Sequence, residues 1–279
     1  MTSASRLALV FLGLVVCLYP LGVWLLIRMQ SASPLMLTVG VAAIGACLIC
    51  RRDLGSLGWR WGAWKYQWAS YLIPLAYSSV AYAAIWGLGL GHWYDPGVVE
   101  ELRSGYQIES WPDEAIIALR FALTGTVSFV LLLPAVVGEE MGWRGVLVPA
   151  LAKSLSFSQV SLISGLVWAA WHWPLMFLGL YGNPGVPIVY QLIFFTICIV
   201  SMSVVMTYMR YQTNSLWPAV VFHISHNAFV QKFLTPVTES NSKSAWFVDE
   251  FGIALPLVTG LVALVFWRKG VRKFGRAET

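Results

Sequence analysis

The sequence predicts an all-α fold, a polytopic membrane helix bundle of about eight transmembrane helices. Composition is the first reason: of 279 residues, 58% are hydrophobic and only 11% are charged, whereas a soluble domain carries about 25% charged residues. Patterning is the second. The apolar residues gather into stretches close to the ~20 residues that cross a bilayer as a helix. The third is the absence of the polar–apolar alternation that marks outer-membrane strands. Lipid offers the backbone no hydrogen-bond partners, so each stretch is expected to satisfy its own as a helix. Residues 1–279 read as a single membrane domain, with no internal repeat and no soluble appendage.

The first stretch, 7–27, follows Arg6. It exceeds the 7–15 residues usual in a signal-peptide core and is not followed by a clean cleavage site, so it reads as a retained span. The second, 34–50, is short and holds Cys47 and Cys50. A lone C-x-x-C without a second pair or a neighbouring histidine is weak evidence for metal or redox chemistry. Cys17 and Cys198 also lie in apolar stretches, so a structural disulfide is not expected. Between 54 and 68 the sequence allows a short helix along the membrane surface. Trp59, Trp61, Trp64 and Trp68 there suit an interfacial aromatic belt. The remaining stretches are 67–91, 116–138, 158–180, 187–209, 216–234 and 251–267.

Charge placement orients the bundle. Arg51, Arg52, Arg60, Lys65, Lys153, Arg210, Arg268, Lys269, Arg272, Lys273 and Arg276 all fall in alternate connections or at the end of the chain. The longest opposite connection, 92–115, is acidic through Asp95, Glu100, Glu101, Glu109, Asp113 and Glu114. An even number of spans with both termini cytoplasmic satisfies the positive-inside rule, and an inner or plasma membrane is the expected location. The net charge of +5 is explained by this asymmetry. No arginine-rich arm or aromatic platform points to nucleic acid.

Against this background Glu139 and Glu140 stand out, because carboxylates at a membrane span are costly and mark function. Helical spacing separates them. Glu140 and Arg144 are four apart and share a face, so they are expected to pair, while Glu139 points elsewhere and stays free for a cavity. His172 and His223 bring imidazoles from two later stretches, and Asn227 shares the face of His223. His226 sits at the edge of that face and reads as structural. Pro134, Gly138, Pro174 and Pro218 can bend helices and open a cavity. One depth mismatch is expected. Glu139 falls at the inner end of its stretch and His172 deep in its own, so tilting, or a cavity open to the cytoplasm or to lipid, is needed to bring them level.

Glu139-Glu140…Arg144, Trp168…His172 and His223…Asn227, in this order on separate spans, resemble the CPBP family. These are CAAX-prenyl-protease and bacteriocin-processing intramembrane proteases, also called Abi proteins. The resemblance covers 116–234, which reads as the catalytic core; Trp168 stands where phenylalanine is common. It implies hydrolysis of a peptide bond in a membrane-associated, prenylated or leader-bearing substrate. Glu139 and His172 would activate water, His223 and Asn227 would stabilise the oxyanion, and Glu140 and Arg144 would hold the site together. No cofactor is favoured. A zinc-dependent version, with Glu139, His172 and His223 as ligands, stays open because three ligands and one free position make a catalytic zinc site; His226 could replace His223. H-E-x-x-H is absent, so no motif forces a metal. A non-proteolytic immunity or scaffold protein of the same fold is the alternative function.

Overall fold

A computed structural model describes residues 3–275 of the chain. Among the described residues there are nine helices and no strands, only an isolated bridge between His92 and Glu239. The helices are α1 (Ser3–Met29), α2 (Ser33–Ile49), α3 (Trp64–Gly87), α4 (Pro96–Tyr106), α5 (Asp113–Leu151), α6 (Phe157–Phe177), α7 (Ile188–Thr213), α8 (217–237) and α9 (Ala254–Phe274). Apart from the peripheral α4, each falls on one predicted stretch, and the chain folds as a polytopic helical membrane bundle.

Five helices, α1, α5, α6, α7 and α9, are long and apolar enough to cross a membrane, and α2 is a shorter apolar helix. The reason α8 falls short of that hydropathy lies in its position. Residues 218–230 are all buried by protein, so α8 has no lipid face and can carry His223, His226, Asn227 and Gln231. It packs against α3, α5 and α7 at the centre of the bundle.

The largest departure from the sequence expectation concerns α5. The apolar stretch 116–138 ends at the glutamates, but the helix continues to Leu151. Gly142 through Val148 are buried, so Glu139, Glu140 and Arg144 sit inside protein rather than at an interface. Glu139 is therefore interior to its helix. The depth mismatch with His172 disappears without exceptional tilting.

Two departures from regular α geometry in these helices abut the motif residues. The helix widens to π-helical turns at Met141–Leu147, directly after Glu140, and at Asn227–Leu234, beginning on Asn227. Such turns recur at functional sites because they re-aim side chains. A close approach of α2 fixes this part of α5. A Cβ on Gly40 would lie 2.9 Å from both Cα and O of Gly138, so only glycine lets the two backbones meet here.

The connections confine charge to the two ends. One end joins the Gly58–Trp59 loop to the start of α8 and the last turn of α7 to α9: Leu216 N–H donates to Gly58 O at 2.9 Å, Trp217 Nε1 to Trp59 O at 2.8 Å and Lys273 Nζ to Gln212 Oε1 at 2.7 Å. This end carries the basic residues named above; Arg276 lies outside the described residues. At the other end His92 pairs with Glu239, and Asn241 Nδ2 donates to Gly89 O at 3.1 Å. That end holds α4 and the acidic loop. The surface helix expected within 54–68 is only a short 3₁₀ turn, Leu54–Leu57, because Asp53 caps it by accepting from Gly55 N–H at 2.9 Å and Gly58 follows with φ +100°.

Candidate active site

The π-widened stretch of α5 presents the two glutamates in different directions. Glu140 is wholly buried, and its Oε1 accepts from Arg144 NH1 at 3.0 Å. This is the pair that helical spacing predicts. The same oxygen also meets His223 Nδ1 at 2.9 Å, which spacing does not predict. Arg144 stacks its guanidinium 4.3 Å from the centroid of the Trp168 ring, so the buried cation is shared between a carboxylate and an aromatic face. Arg144, Glu140, His223 and Trp168 thereby lock α5, α6 and α8 together.

Glu139 is 1% exposed and is less free than its spacing suggests. Its Oε1 accepts from Trp143 Nε1 at 3.0 Å and from Trp168 Nε1 at 2.5 Å. Two indole donors hold one oxygen, and Oε2 accepts no hydrogen bond from the protein among the described residues. A carboxylate held this way keeps a fixed direction and one open acceptor.

His172, on the next turn of α6 after Trp168, has Nδ1 2.9 Å from the Trp168 carbonyl oxygen. A carbonyl only accepts, so Nδ1 carries the hydrogen and Nε2 carries the lone pair. The ring is wedged between Trp171, Tyr181 and Phe195, with centroids 4.8, 5.6 and 5.1 Å away. His223 mirrors it. Donation of Nδ1–H to Glu140 leaves Nε2 without a protein partner. The Asn227 side chain has no hydrogen-bond partner in the protein among the described residues.

Glu139, His172, His223 and Asn227 all line one cavity of about 110 Å³. That is room for a few water molecules. Its rim includes Leu26 and Ala32 beside the α1–α2 turn, and Leu180 and Tyr181 from the α6–α7 loop. Among the described residues no member of the basic-end loops lines it, so the cavity faces the acidic end.

The far wall holds a second buried carboxylate that spacing rules do not reveal. Glu250, from the loop before α9, is 2% exposed. It accepts from Tyr181 OH and from Gln231 Nε2 at 2.9 Å, and meets His226 Nε2 at 2.6 Å. The other His226 nitrogen, Nδ1, lies 2.6 Å from Tyr77 OH. Both nitrogens of His226 are thus engaged, and it tethers the loop to α8. Burial works to raise the Glu250 pKa, but His226, Tyr181 and Gln231 outweigh it and hold the carboxyl at about 2. Its neighbour Asp249 goes the other way. Burial, with the Glu250 charge adding, raises it to about 7. The available signal was the pair Asp249-Glu250 set between Trp246-Phe247-Val248 and the last apolar stretch.

Among the described residues no three His, Cys, Asp or Glu side chains converge as metal ligands. Glu139 Oε1 and the Nδ1 atoms of His172 and His223 are committed to protein partners, so any ion would rely on Glu139 Oε2 and the two Nε2 atoms.

Residues 121–229 match the family model of the Rce1-like type II CAAX prenyl endopeptidases. The match lies within the expected core, 116–234. The chain is also similar to CAAX prenyl protease 2 of Methanococcus maripaludis, 35% identical over 105 residues. That alignment covers 36% of this chain and 38% of the relative. The segment carrying Glu139, His172, His223 and Asn227 is thus the part of the chain that is similar to the Rce1-like CAAX prenyl endopeptidases.

Proposed function

We propose that the protein is a CAAX-type membrane endopeptidase in which Glu139 and His172 activate a water molecule. The observation that carries this reading is the shared cavity. A directed carboxylate with one open oxygen, an imidazole with a free lone pair, and two unpartnered polar groups line the same small volume.

In this reading, water bound between Glu139 Oε2 and His172 Nε2 attacks the scissile carbonyl carbon. Glu139 takes the proton as the C–O bond forms and the carbonyl electrons move to oxygen. The resulting oxyanion accepts from Asn227 Nδ2 and from protonated His223 Nε2. Glu140, opposite Nδ1, supports the imidazolium. Donors aimed at a developing oxyanion are commonly worth ~3–4 kcal/mol each. Collapse of the tetrahedral intermediate breaks the C–N bond, and the departing amine leaves with the proton held by Glu139. No metal is required by this scheme, and Glu139 serves as the base.

The substrate is a membrane-associated or lipid-modified polypeptide. The name of the Methanococcus maripaludis relative suggests a prenylated CAAX protein. The position of the cavity rim favours a second class. An orientation with both termini cytoplasmic, the one the positive-inside rule favours, would turn the rim away from the cytoplasm. An exported leader peptide would reach a rim so oriented, whereas a cytosolic prenylated tail would require the opposite orientation.

The test is cleavage of membrane-anchored reporter peptides by purified, reconstituted protein. Glu139→Gln should lower turnover at least a thousandfold while the protein still inserts and melts as wild type. Wild-type turnover by Glu139→Gln would refute the reading. Metal analysis, with turnover measured after chelation, tests the zinc version. Membrane-impermeant peptide presented to right-side-out and inverted vesicles separates the two substrate faces.

A further inference from the structure

The basic end of the bundle contains a second cavity, of about 400 Å³, remote from the site just described and independent of the protease reading. Arg52, Lys153 and Arg210 line it, with Ser56, Ser154 and Asn214 beside them. Among the described residues no carboxylate lines it. Lys153, Arg210 and Asn214 also line an adjoining recess of about 270 Å³.

Arg210 is the informative residue. It is only 5% exposed, on the last turn of α7. Its Nε donates to the Arg144 carbonyl at 2.9 Å and its NH1 to Asn214 Oδ1 at 2.8 Å. Among the described residues it has no carboxylate partner, and neither do Arg52 and Lys153. Burying a guanidinium with no counter-charge is expensive, and here two further cations share the cavity. The backbone is shaped around this charge. Gly58 has φ +100°, and a Cβ there would stand 3.1 Å from both Cζ and NH2 of Arg210. A glycine at this point lets the loop lie against the guanidinium.

We propose that this cavity binds a phosphate-bearing anion, carried by an anionic phospholipid headgroup at the membrane surface or free in solution. Three cations, two hydroxyls and a carboxamide match the acceptor-rich oxygens of phosphate, and arginine suits them by its forked donors. Basic pockets between spans on the cytoplasmic side select such headgroups. Arg210 also connects the site to the catalytic helix, because the Arg144 carbonyl it holds lies in the π-helical turn after Glu140.

The experiment uses delipidated full-length protein and native mass spectrometry, with phosphatidylglycerol and phosphatidylcholine as probes. Wild type should retain phosphatidylglycerol selectively. Each exposed cation near a membrane surface contributes about fivefold in affinity, so Arg52→Gln with Lys153→Gln should weaken retention roughly twentyfold. Arg268→Gln with Arg272→Gln, removing two basic residues of the same end that do not line the cavity, should leave it unchanged. Inorganic phosphate distinguishes the sources. Displacement of phosphatidylglycerol by phosphate assigns the site to a free anion, and resistance to displacement assigns it to the headgroup. Equal retention by wild type and Arg52→Gln/Lys153→Gln, or equal loss in both double variants, would overturn the proposal.

Discussion

His223 Nδ1 lies 2.9 Å from Glu140 Oε1, joining two helices through residues 83 positions apart. The same oxygen holds Arg144, so one carboxylate fixes both a buried cation and an imidazole of the cavity. Removing one partner of a buried pair leaves an uncompensated charge, typically costing 3–5 kcal/mol. Glu140→Ala is expected to destabilise the protein by about that much. Arg144→Met combined with Glu140→Leu should recover a large part of the loss, because a buried ion pair is often replaceable by apolar side chains of similar volume. Thermal unfolding in detergent measures both. Equal destabilisation by the single and double variants would show that the charge is not what matters.

Trp168 donates to Glu139 at 2.5 Å and also faces Arg144. The family resemblance implies that phenylalanine is tolerated at this position. Trp168→Phe keeps an aromatic face for Arg144 but removes the indole donor. The expected outcome is a folded protein whose turnover falls about tenfold, corresponding to ~1.4 kcal/mol. Steady-state kinetics beside a melting curve check this. An unchanged turnover would mean that Trp143 alone orients the carboxylate.

Lipid made most of the architecture legible. The eight apolar stretches map onto helices because the bilayer leaves the backbone no other choice. Helical period also separated Glu140, paired with Arg144, from Glu139. The extension of α5 to Leu151 was hidden because the charges of 139–144 look like an interface in the sequence and are instead buried by other helices. The Glu140–His223 contact was hidden by its sequence separation. Glu250 was missed because it lies in a connection, where a carboxylate is ordinarily solvated, and only the folding of that loop over α8 buries it.

The approach of α2 to α5 offers a test through packing alone. Gly40 and Gly138 meet backbone to backbone, and Gly138 adjoins Glu139. Gly40→Val cannot be absorbed by a flexible side chain, since the atoms opposite are main chain. Overpacking of this kind typically costs 1–3 kcal/mol. A displaced α5 would also move Glu139 relative to His172, so turnover should fall more than stability alone explains. Gly13→Val is the control, because a Cβ there meets nothing within 4 Å. Equal behaviour of the two variants would remove the case for a fixed α2–α5 contact.

Asp249 and Glu250 give the protein opposite pH dependences. Asp249 is raised from 3.8 to about 7, chiefly by burial and then by the Glu250 charge. The folded state therefore prefers its protonated form. Its contribution to stability is complete below about pH 4 and is lost as pH rises through about 7. Glu250, held at about 2, contributes above its unfolded value of 4.5 and loses that contribution only as pH falls towards 2. Between pH 5 and 8 the change comes from Asp249 alone of the two. Partial exposure of Asp249 to solvent reduces the effect to on the order of 2 kcal/mol. Asp249→Asn tests it cleanly. Asparagine tolerates the left-handed backbone at φ 65° and keeps the oxygen that accepts from Glu250 N–H at 2.7 Å. Wild type should lose stability from pH 5 to pH 8, and the variant should lose about 2 kcal/mol less across that window. Parallel melting curves for the two proteins would mean that Asp249 is ionised in the folded state throughout.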